Sequence, residues 1–289
     1  MKRQLLLLAL CICSFSAFSQ KKEIESKTEV IPCSDFHLTK PLWQIMAAHP
    51  ADENAVRKEE EESKDKEHRK PHHFEYTVED GPQYGNDQHI MQNQMGSIPG
   101  KAPITNWAGQ TATGFRPFDP SGASGPNHYV QMINSTTFKV YNKVSGVVML
   151  TATLGNLWSP ATGNSGDPIV LYDKPADRWL LAQFGNSTDK KIYIAISQTG
   201  DPTGAYYTYT FVSPQFPDYL KFSTWHDGYY MTSNQGTQKV FCFERSAMLT
   251  GSASARSLYT TYSPPNGSGF FVPLAGDASD GVLPAAGTP

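Results

Sequence analysis

Short runs of apolar, β-branched and aromatic residues, separated by turns rich in Gly, Pro, Asp and Asn, fill the chain from Ile104 onward. Runs of this kind are typical of β-strands. The clearest pair lies at residues 169–172 and 178–184, on either side of a short turn rich in Pro and Asp. This arrangement predicts a β-hairpin, because apolar β-formers flank residues that favour tight turns.

Two residues are expected to fix this hairpin in the fold. Asp167 precedes Pro168, and a proline disfavours a helical backbone in the residue before it, so we expect Asp167 to be extended. Its carboxylate can then accept hydrogen bonds from nearby backbone N–H groups. Trp179 supplies a large apolar side chain on the second strand, and we expect it to be buried between neighbouring strands.

The same pattern predicts three successive units of strands. Their further strands lie at residues 128–133, 137–142, 147–152, 191–197, 205–212, 219–224, 228–233, 239–244 and 258–262. The units open at Gly125, Asp167 and Asp218, a spacing of about 40–50 residues, which is the length that a four-stranded propeller blade needs. Residues 270–274 would open a fourth unit.

The fold prediction is therefore an all-β chain with a partial β-propeller of about three to four blades over residues 101–289. A closed propeller has typically 4–8 blades, because an open fan leaves the end blades with uncovered faces and strand edges. The sequence thus predicts a domain that is truncated at its C-terminus, with any further modules beyond Pro289.

Residues 1–100 differ from the rest of the chain in composition and in the pattern of apolar residues. Residues 1–19 have the form of a secretory signal peptide, with Lys2 and Arg3 before an apolar run and a small-residue cleavage site before Gln20. The tract at residues 57–73 mixes acidic and basic side chains without an apolar stripe, so it cannot bury enough surface to fold alone. We predict a disordered, charged linker over residues 20–100, in which residues 41–48 form one helical turn or a docking peptide.

The charge, hydrophobicity and cysteine content limit the kinds of partner that the chain can bind and the compartment in which it works. The net charge of −3 gives no global attraction to nucleic acid or to an anionic membrane. No segment after the signal peptide is long and apolar enough to span a bilayer. Cys33 and Cys242 either pair in an oxidising compartment or stay separate, with Cys242 a small buried core residue. We expect a secreted protein that is extracellular or held at the outer cell surface.

Three aspartates are the candidates for catalysis. Asp167 and Asp218 at strand starts, with Asp173 in a turn, resemble the carboxylates of propeller glycosidases and sialidases, where acids from inner strands converge on a central channel. Glycoside hydrolysis needs two carboxyl groups about 5–10 Å apart, and His128 and His226 would be their polar neighbours. In the alternative interpretation, Asp167 caps its own turn and Asp173 is an ordinary loop residue.

The candidate ligand-binding residues are His128, Trp158, Arg178, His226 and Tyr229. Aromatic side chains among them would stack on sugars if exposed, but in paired strands half of such side chains face the core. The alternative for Arg178 is an inter-strand ion pair. No nucleophile elbow, zinc spacing, P-loop or dinucleotide fingerprint occurs, so no metal site or cofactor is predicted.

Calcium is an alternative at one glycine-rich loop. Residues 119–125 carry a single carboxylate, Asp119. A calcium loop usually supplies several oxygen ligands at fixed positions, so the match to such a loop is incomplete.

The order of four phrases carries a resemblance to a known family. The phrases are GP-HYVQMIN followed by FKVYNKVSG, SGDPIVLYDKPADRWLLAQF, IYIAISQTGDPTGAYYTYTF, and FPDYLKFSTWHDGYYMTSN. Over residues 106–289 the chain resembles large secreted bacterial β-propeller-type surface proteins that are exported by the type IX secretion route. The resemblance implies a repeated-strand propeller, adhesion-type modules and a C-terminal sorting signal read by the secretion machinery, and it carries over no active site.

Two functions follow as expectations. The first is a non-catalytic recognition or adhesion protein, secreted or at the cell surface, whose propeller binds an extracellular glycan or protein. The second is a secreted carbohydrate-active hydrolase that uses channel carboxylates. Convergence of Asp167 and Asp218 in one open cleft with a third acid favours the hydrolase. Hydrogen bonds from these carboxylates to backbone amides of their own turns favour recognition.

Overall fold

The computed structural model of the chain describes residues 27–51, 103–111, 118–134, 137–163, 166–263, 272–279, 281–285 and 287. The predicted signal peptide, the mixed-charge tract at residues 57–73 and Phe270 lie outside these ranges. The strands in the described part are β1 Glu29–Pro32, β2 Asp35–Leu38, β3 Ser121–Ser124, β4 His128–Met132, β5 Phe138–Asn142, β6 Val148–Ala152, β7 Ile169–Asp173, β8 Arg178–Phe184, β9 Lys191–Ser197, β10 Tyr206–Val212, β11 Asp218–Thr224, β12 Gly228–Asn234, β13 Lys239–Glu244 and β14 Arg256–Thr261. The helices are α1 Leu42–Ala48, a 3-10 helix Leu154–Leu157 and α2 Arg245–Leu249.

The strands form three antiparallel sheets, which confirms the all-β prediction. The first sheet has the order β3-β4-β5-β6, the second β2-β10-β9-β8-β7 and the third β1-β14-β13-β12-β11. Each sheet therefore contains four strands that follow one another along the chain. The opening strands of the three sheets lie side by side, with β7 in contact with both β3 and β11.

The predicted strands are confirmed to within one or two residues at each end. Strand β3 was missed, because Ser, Gly and Ala are weak β-formers. It occupies most of the loop that was considered for calcium. Val272 and the two residues after it form no strand, so the described part of the predicted fourth unit contains none.

The prediction of a disordered segment over residues 20–100 is wrong for residues 27–51. Strand β1 pairs with β14 and strand β2 pairs with β10, so this N-terminal segment completes the outer edges of the third and second sheets. Helix α1 follows, and its Leu42 and Met46 are buried in the core. Short segments of this kind are stabilised by distant partners, which local composition does not reveal.

The second sheet is covered on both faces, and its strand sequences explain why. In β8, Trp179 and Leu181 belong to a core shared with the first sheet and α1, whereas Leu180 and Ala182 belong to a core shared with the third sheet. Successive side chains of a strand point to opposite faces, so an unbroken apolar run marks a strand that is buried on both sides.

Trp179 is fully buried, as predicted. Its indole Nε1 donates a hydrogen bond to the Gly200 carbonyl at 3.0 Å, and its ring packs on Tyr172 with centroids 4.9 Å apart. Gly125 approaches so closely that an added Cβ would lie 2.7 Å from the Trp179 ring. Glycine is required there because the backbone of one unit packs directly on the tryptophan of the next.

Cys33 and Cys242 are both free and half-buried. Cys242 is therefore only partly the buried core residue that was considered. Its Sγ lies where a Cβ on Gly228 would meet it at 2.4 Å, so it fills space against the neighbouring strand. Within the described ranges, no helix has the length and hydrophobicity needed to cross a membrane.

Candidate functional site

Three aspartates stand at equivalent places, at the starts of the three opening strands. Asp119 precedes β3, Asp167 precedes β7, and Asp218 is the first residue of β11. Because these strands lie side by side, their starts come together, and the carboxyl group of Asp167 is hydrogen-bonded to that of Asp119 and senses the charge of Asp218. All three aspartates are half-buried.

The surroundings of Asp167 favour its protonated form. Burial is the largest cause, the hydrogen bond and the charge of Asp119 come next, and Asp218 adds repulsion, while Lys221 opposes them. Together they raise the pKa of Asp167 to about 8. Two carboxyl groups that share a site cannot both ionise freely, so Asp167 keeps a proton at neutral pH and donates it to Asp119.

Asparagine amides tie these aspartates to the ends of the second strands. Asn134, just after β4, donates from Nδ2 to Asp119 Oδ2 at 3.2 Å and accepts the backbone N–H of Asp167 at Oδ1, also at 3.2 Å. Asn234, at the end of β12, donates to Asp218 Oδ2 at 3.4 Å. The same pairing of Asp and Asn therefore occurs in the first and third sheets.

The backbone at this cluster is unusual. Asp119 has φ of +33° and Asp167 has φ of +44°. The expectation that Asp167 is extended is therefore wrong. Its N–H is held by the Asn134 amide, and aspartate tolerates the left-handed region better than most residues do.

Asp173 is neither in this cluster nor a loop residue, contrary to both expectations. It ends β7, about 20 Å along the chain from Asp167 at about 3.3 Å per residue. Its carboxylate is fully buried and receives two hydrogen bonds from Arg245, at 2.7 and 2.9 Å, and one from the hydroxyl of Tyr229, at 2.8 Å. Asp173 thus joins the second sheet to the third.

The other partners of Asp173 account for two further candidates. Tyr229 is fully buried, so its ring is not available for stacking on a sugar. Burial first, then the Asp173 charge, raises the pKa of Tyr229 well above its ordinary value and keeps the phenol protonated. Arg178 makes no ion pair with the residues that the structure describes, and its guanidinium donates to the turn carbonyls of Ala176 and Asp177 at 3.3 and 2.8 Å.

The two candidate histidines lie away from the aspartate cluster. The antiparallel register pairs Ser121 with Met132, so His128 is at the far end of the first sheet from Asp119. His226 follows β11 and is likewise at the far end of that strand from Asp218. Neither histidine is the neighbour of Asp167 or Asp218 that the sequence suggested.

Trp158 lines a cavity of about 570 Å³ between the second sheet and the loop at residues 158–163. The tryptophan itself is 3% exposed, so it is not an open stacking platform. Its ring packs edge-on against Tyr193, with centroids 5.1 Å apart. We call this space the Trp158 cavity.

Sequence reasoning missed Arg245 and considered Asp119 only for calcium. The repeated Asp-Pro pairs at Asp119-Pro120 and Asp167-Pro168 were the available signal for the aspartate cluster. No group of three or more His, Cys, Asp or Glu side chains in the described part of the chain has an arrangement that fits a metal ion.

Comparison with known proteins found no match. No family model, no curated protein and no solved structure is significantly similar to this chain.

Proposed function

We propose that this chain is an extracellular recognition protein whose three sheets are blades of a β-propeller, and that it binds a glycan without cleaving it. The observation that carries the proposal is the arrangement of the sheets, each a meander of four consecutive strands with its opening strand beside that of its neighbour. Propeller blades are four-stranded sheets set around a central axis, so this arrangement supports the proposal. Secretion belongs to the proposal and rests on residues 1–19.

Asp167, Asp218 and a third acid, Asp119, come together, which is one part of the expectation for a hydrolase, but the contact between Asp119 and Asp167 is closer than glycoside cleavage requires. A hydrogen bond holds the carboxyl oxygens of Asp119 and Asp167 within about 3 Å of each other. A glycosidase keeps its two carboxyl groups about 5–10 Å apart so that the scissile bond and a water fit between them. Asp173, the third catalytic candidate, is fully engaged by Arg245 and Tyr229.

Binding of the chain to a printed array of oligosaccharides tests recognition. The chain without residues 1–19 should bind a restricted group of glycans, and the same chain in denaturing urea should bind none. Uniform absence of binding across plant, bacterial and animal glycans would contradict the proposal.

A secreted carbohydrate-active hydrolase is the second candidate, and one observation favours it. The pKa of about 8 keeps Asp167 protonated at neutral pH, as a general acid must be, and Asp218 lies close enough to influence it. In this reading Asp167 protonates the leaving oxygen and Asp218 is the second carboxylate.

Chromogenic glycosides separate the two candidates. The hydrolase reading expects release of nitrophenol that Asp167→Asn and Asp218→Asn each abolish, while a variant of the exposed Asp227 keeps full activity. The recognition proposal expects no release by any of these proteins. Folding of each variant is checked by its thermal melt.

A further inference from the structure

We propose that the Trp158 cavity is a binding site for one or two sugar residues, held at once by hydrogen bonds and by apolar contact. The inference rests on the proposed recognition function and names the site for it. The volume of about 570 Å³ lies within the range of about 300–1,000 Å³ that is typical of small-ligand sites.

The floor of the cavity is a row of side chains across the second sheet. Thr210 on β10 is in register with Asp35 on β2 and with Tyr193 on β9, so the three share one face of the sheet. Two residues further on, Val212 is in register with Lys191. The N-terminal strand β2 therefore supplies part of the floor, although it is distant in sequence.

The roof is the loop that follows the 3-10 helix, and it is held in place by hydrogen bonds. Gln183 on β8 donates from Nε2 to Thr162 Oγ1 at 3.2 Å and to the Gly163 carbonyl at 3.0 Å. The backbone N–H of Thr162 donates to the Gly155 carbonyl at 3.0 Å. The roof is thus fixed to the sheet that it covers.

Two lining residues hold buried polar atoms that no described group satisfies. The indole Nε1 of Trp158 and the hydroxyl of Thr210 are both buried without a hydrogen-bond partner. An unpaired buried donor costs about 1–3 kcal/mol, so most such groups in proteins are paired. Both atoms have almost no accessible surface, so a ligand in the cavity pairs with them only when the lining side chains move aside.

The remaining lining groups favour a ligand rich in hydroxyls. Asp189 Oδ1 accepts the backbone N–H groups of Asn186 and Lys191, while its Oδ2 makes no hydrogen bond with the described residues. A sugar hydroxyl both donates and accepts, so one ring can meet a carboxylate, a threonine and an indole N–H together. Val212 is exposed and offers apolar surface to the C–H face of the ring, whereas Tyr193 is buried like Trp158.

Charge in the cavity argues for a neutral ligand. Asp35 and Asp189 stand near Lys191, and Asp35 also contacts His37, with Nε2 and Oδ1 at 3.0 Å. Burial first, and then these two carboxylates, raise the pKa of Tyr193 to about 12. Phosphate or sulfate would meet two carboxylates and a single lysine, which makes an anionic ligand unfavourable.

The test uses the chain without residues 1–19, with glucose, galactose, mannose, xylose, N-acetylglucosamine and their β-linked disaccharides as probes in isothermal titration. We expect at least one probe to bind. Thr210→Val should weaken that binding about tenfold or more, because it removes one hydrogen-bonding atom and keeps the shape. Trp158→Phe should weaken it at least as much, because it removes the indole N–H together with part of the ring. Thr210→Val should leave the melting temperature of the unliganded chain unchanged or higher, since it removes an unpaired buried hydroxyl.

Thr224→Val is the matched control. Thr224 also has a buried hydroxyl without a partner among the described residues, but it lies on β11, outside the cavity. The Thr224→Val variant should bind the probe with the same affinity as the unmodified chain.

The outcomes separate this inference from the recognition proposal. If a glycan on the array binds the unmodified chain and both cavity variants with equal affinity, the Trp158 cavity is not the binding site. The proposed recognition function would still stand. Failure of every glycan and probe to bind would overturn both.

Discussion

Asp173 shows at the scale of one residue how two sheets are joined. Its buried carboxylate is matched by the guanidinium of Arg245 and the hydroxyl of Tyr229, so that each oxygen has a partner from the third sheet or from α2 beside it. Removing one member of a buried ion pair leaves the other charge buried and uncompensated. The contact is therefore structural, and its loss is expected to act on stability.

We predict that Asp173→Asn lowers the free energy of unfolding by about 3–5 kcal/mol, the range for breaking a buried ion pair. Urea denaturation followed by fluorescence measures the change. Asp227→Asn is the control, because Asp227 is exposed and its substitution should alter stability by less than about 0.5 kcal/mol. A similarly small effect of Asp173→Asn would show that the Arg245 contact contributes little.

The raised pKa of Asp167 predicts that the stability of the folded chain depends on pH. Its pKa rises from an ordinary value of 3.8 in the unfolded chain to about 8 in the folded chain. Between these values the folded chain holds a proton that the unfolded chain releases, so the contribution of Asp167 to stability is full below about pH 4 and is lost as the pH rises towards 8.

Thermal melts between pH 4 and pH 9 measure this contribution. We expect the melting temperature of the Asp167→Asn variant to fall less steeply with rising pH than that of the unmodified chain. At pH 8 the variant should be the more stable of the two proteins. Asp227→Asn should follow the unmodified curve. Parallel curves for all three proteins would mean that Asp167 is ionised at neutral pH.

At the scale of elements, the N-terminal segment of residues 27–51 is a clasp between two sheets. Strands β1 and β2 cover the edges of β14 and β10, and α1 packs into the core shared by the first and second sheets. An uncovered strand edge is a template for pairing with another chain. The clasp therefore both stabilises the second and third sheets and protects their edges.

We predict that deleting residues 27–51 lowers the melting temperature and makes the chain self-associate, as measured by sedimentation velocity. Deletion of residues 57–73 is the control, since their mixed-charge composition predicts no packed role. A monomeric chain with an unchanged melt after the first deletion would contradict the role of the clasp.

The elements also explain which parts of the fold were predictable. Strands such as β8 and β9 carry dense apolar runs, and the local pattern was enough to find them. Strand β3 consists of Ser, Gly, Ala and Ser, and it forms because β4 and β7 lie beside it. Strands β1 and β2 depend in the same way on partners far along the chain, which a local pattern cannot contain.

The candidate site was less predictable for the same reason. Arg245 is 72 residues from Asp173, and nothing in the sequence near either residue indicates the other. The Trp158 cavity needs β2, β9, β10 and the loop at residues 158–163 together. The aspartate cluster alone had a local signal, the repeated Asp-Pro pair, because a repeat places equivalent residues at equivalent positions.

At the scale of the whole molecule, the sheets are connected in two places: at their opening strands and at the outer edges of the second and third sheets. Their opening strands lie side by side, and the clasp joins the outer edges of the second and third sheets. The outer strand of the first sheet, β6, has exposed Val148 and Met149 and no further strand beside it within the described part of the chain.

The central claim is that this chain holds a glycan and leaves it intact. The most direct measurement is to incubate the purified chain with the oligosaccharide that it binds most tightly on the array, and then to determine the mass of that oligosaccharide by mass spectrometry. We predict that the sugar is bound and recovered with its original mass after prolonged incubation at several pH values. Recovery of shorter products, in an amount that falls with Asp167→Asn, would contradict recognition and establish the hydrolase.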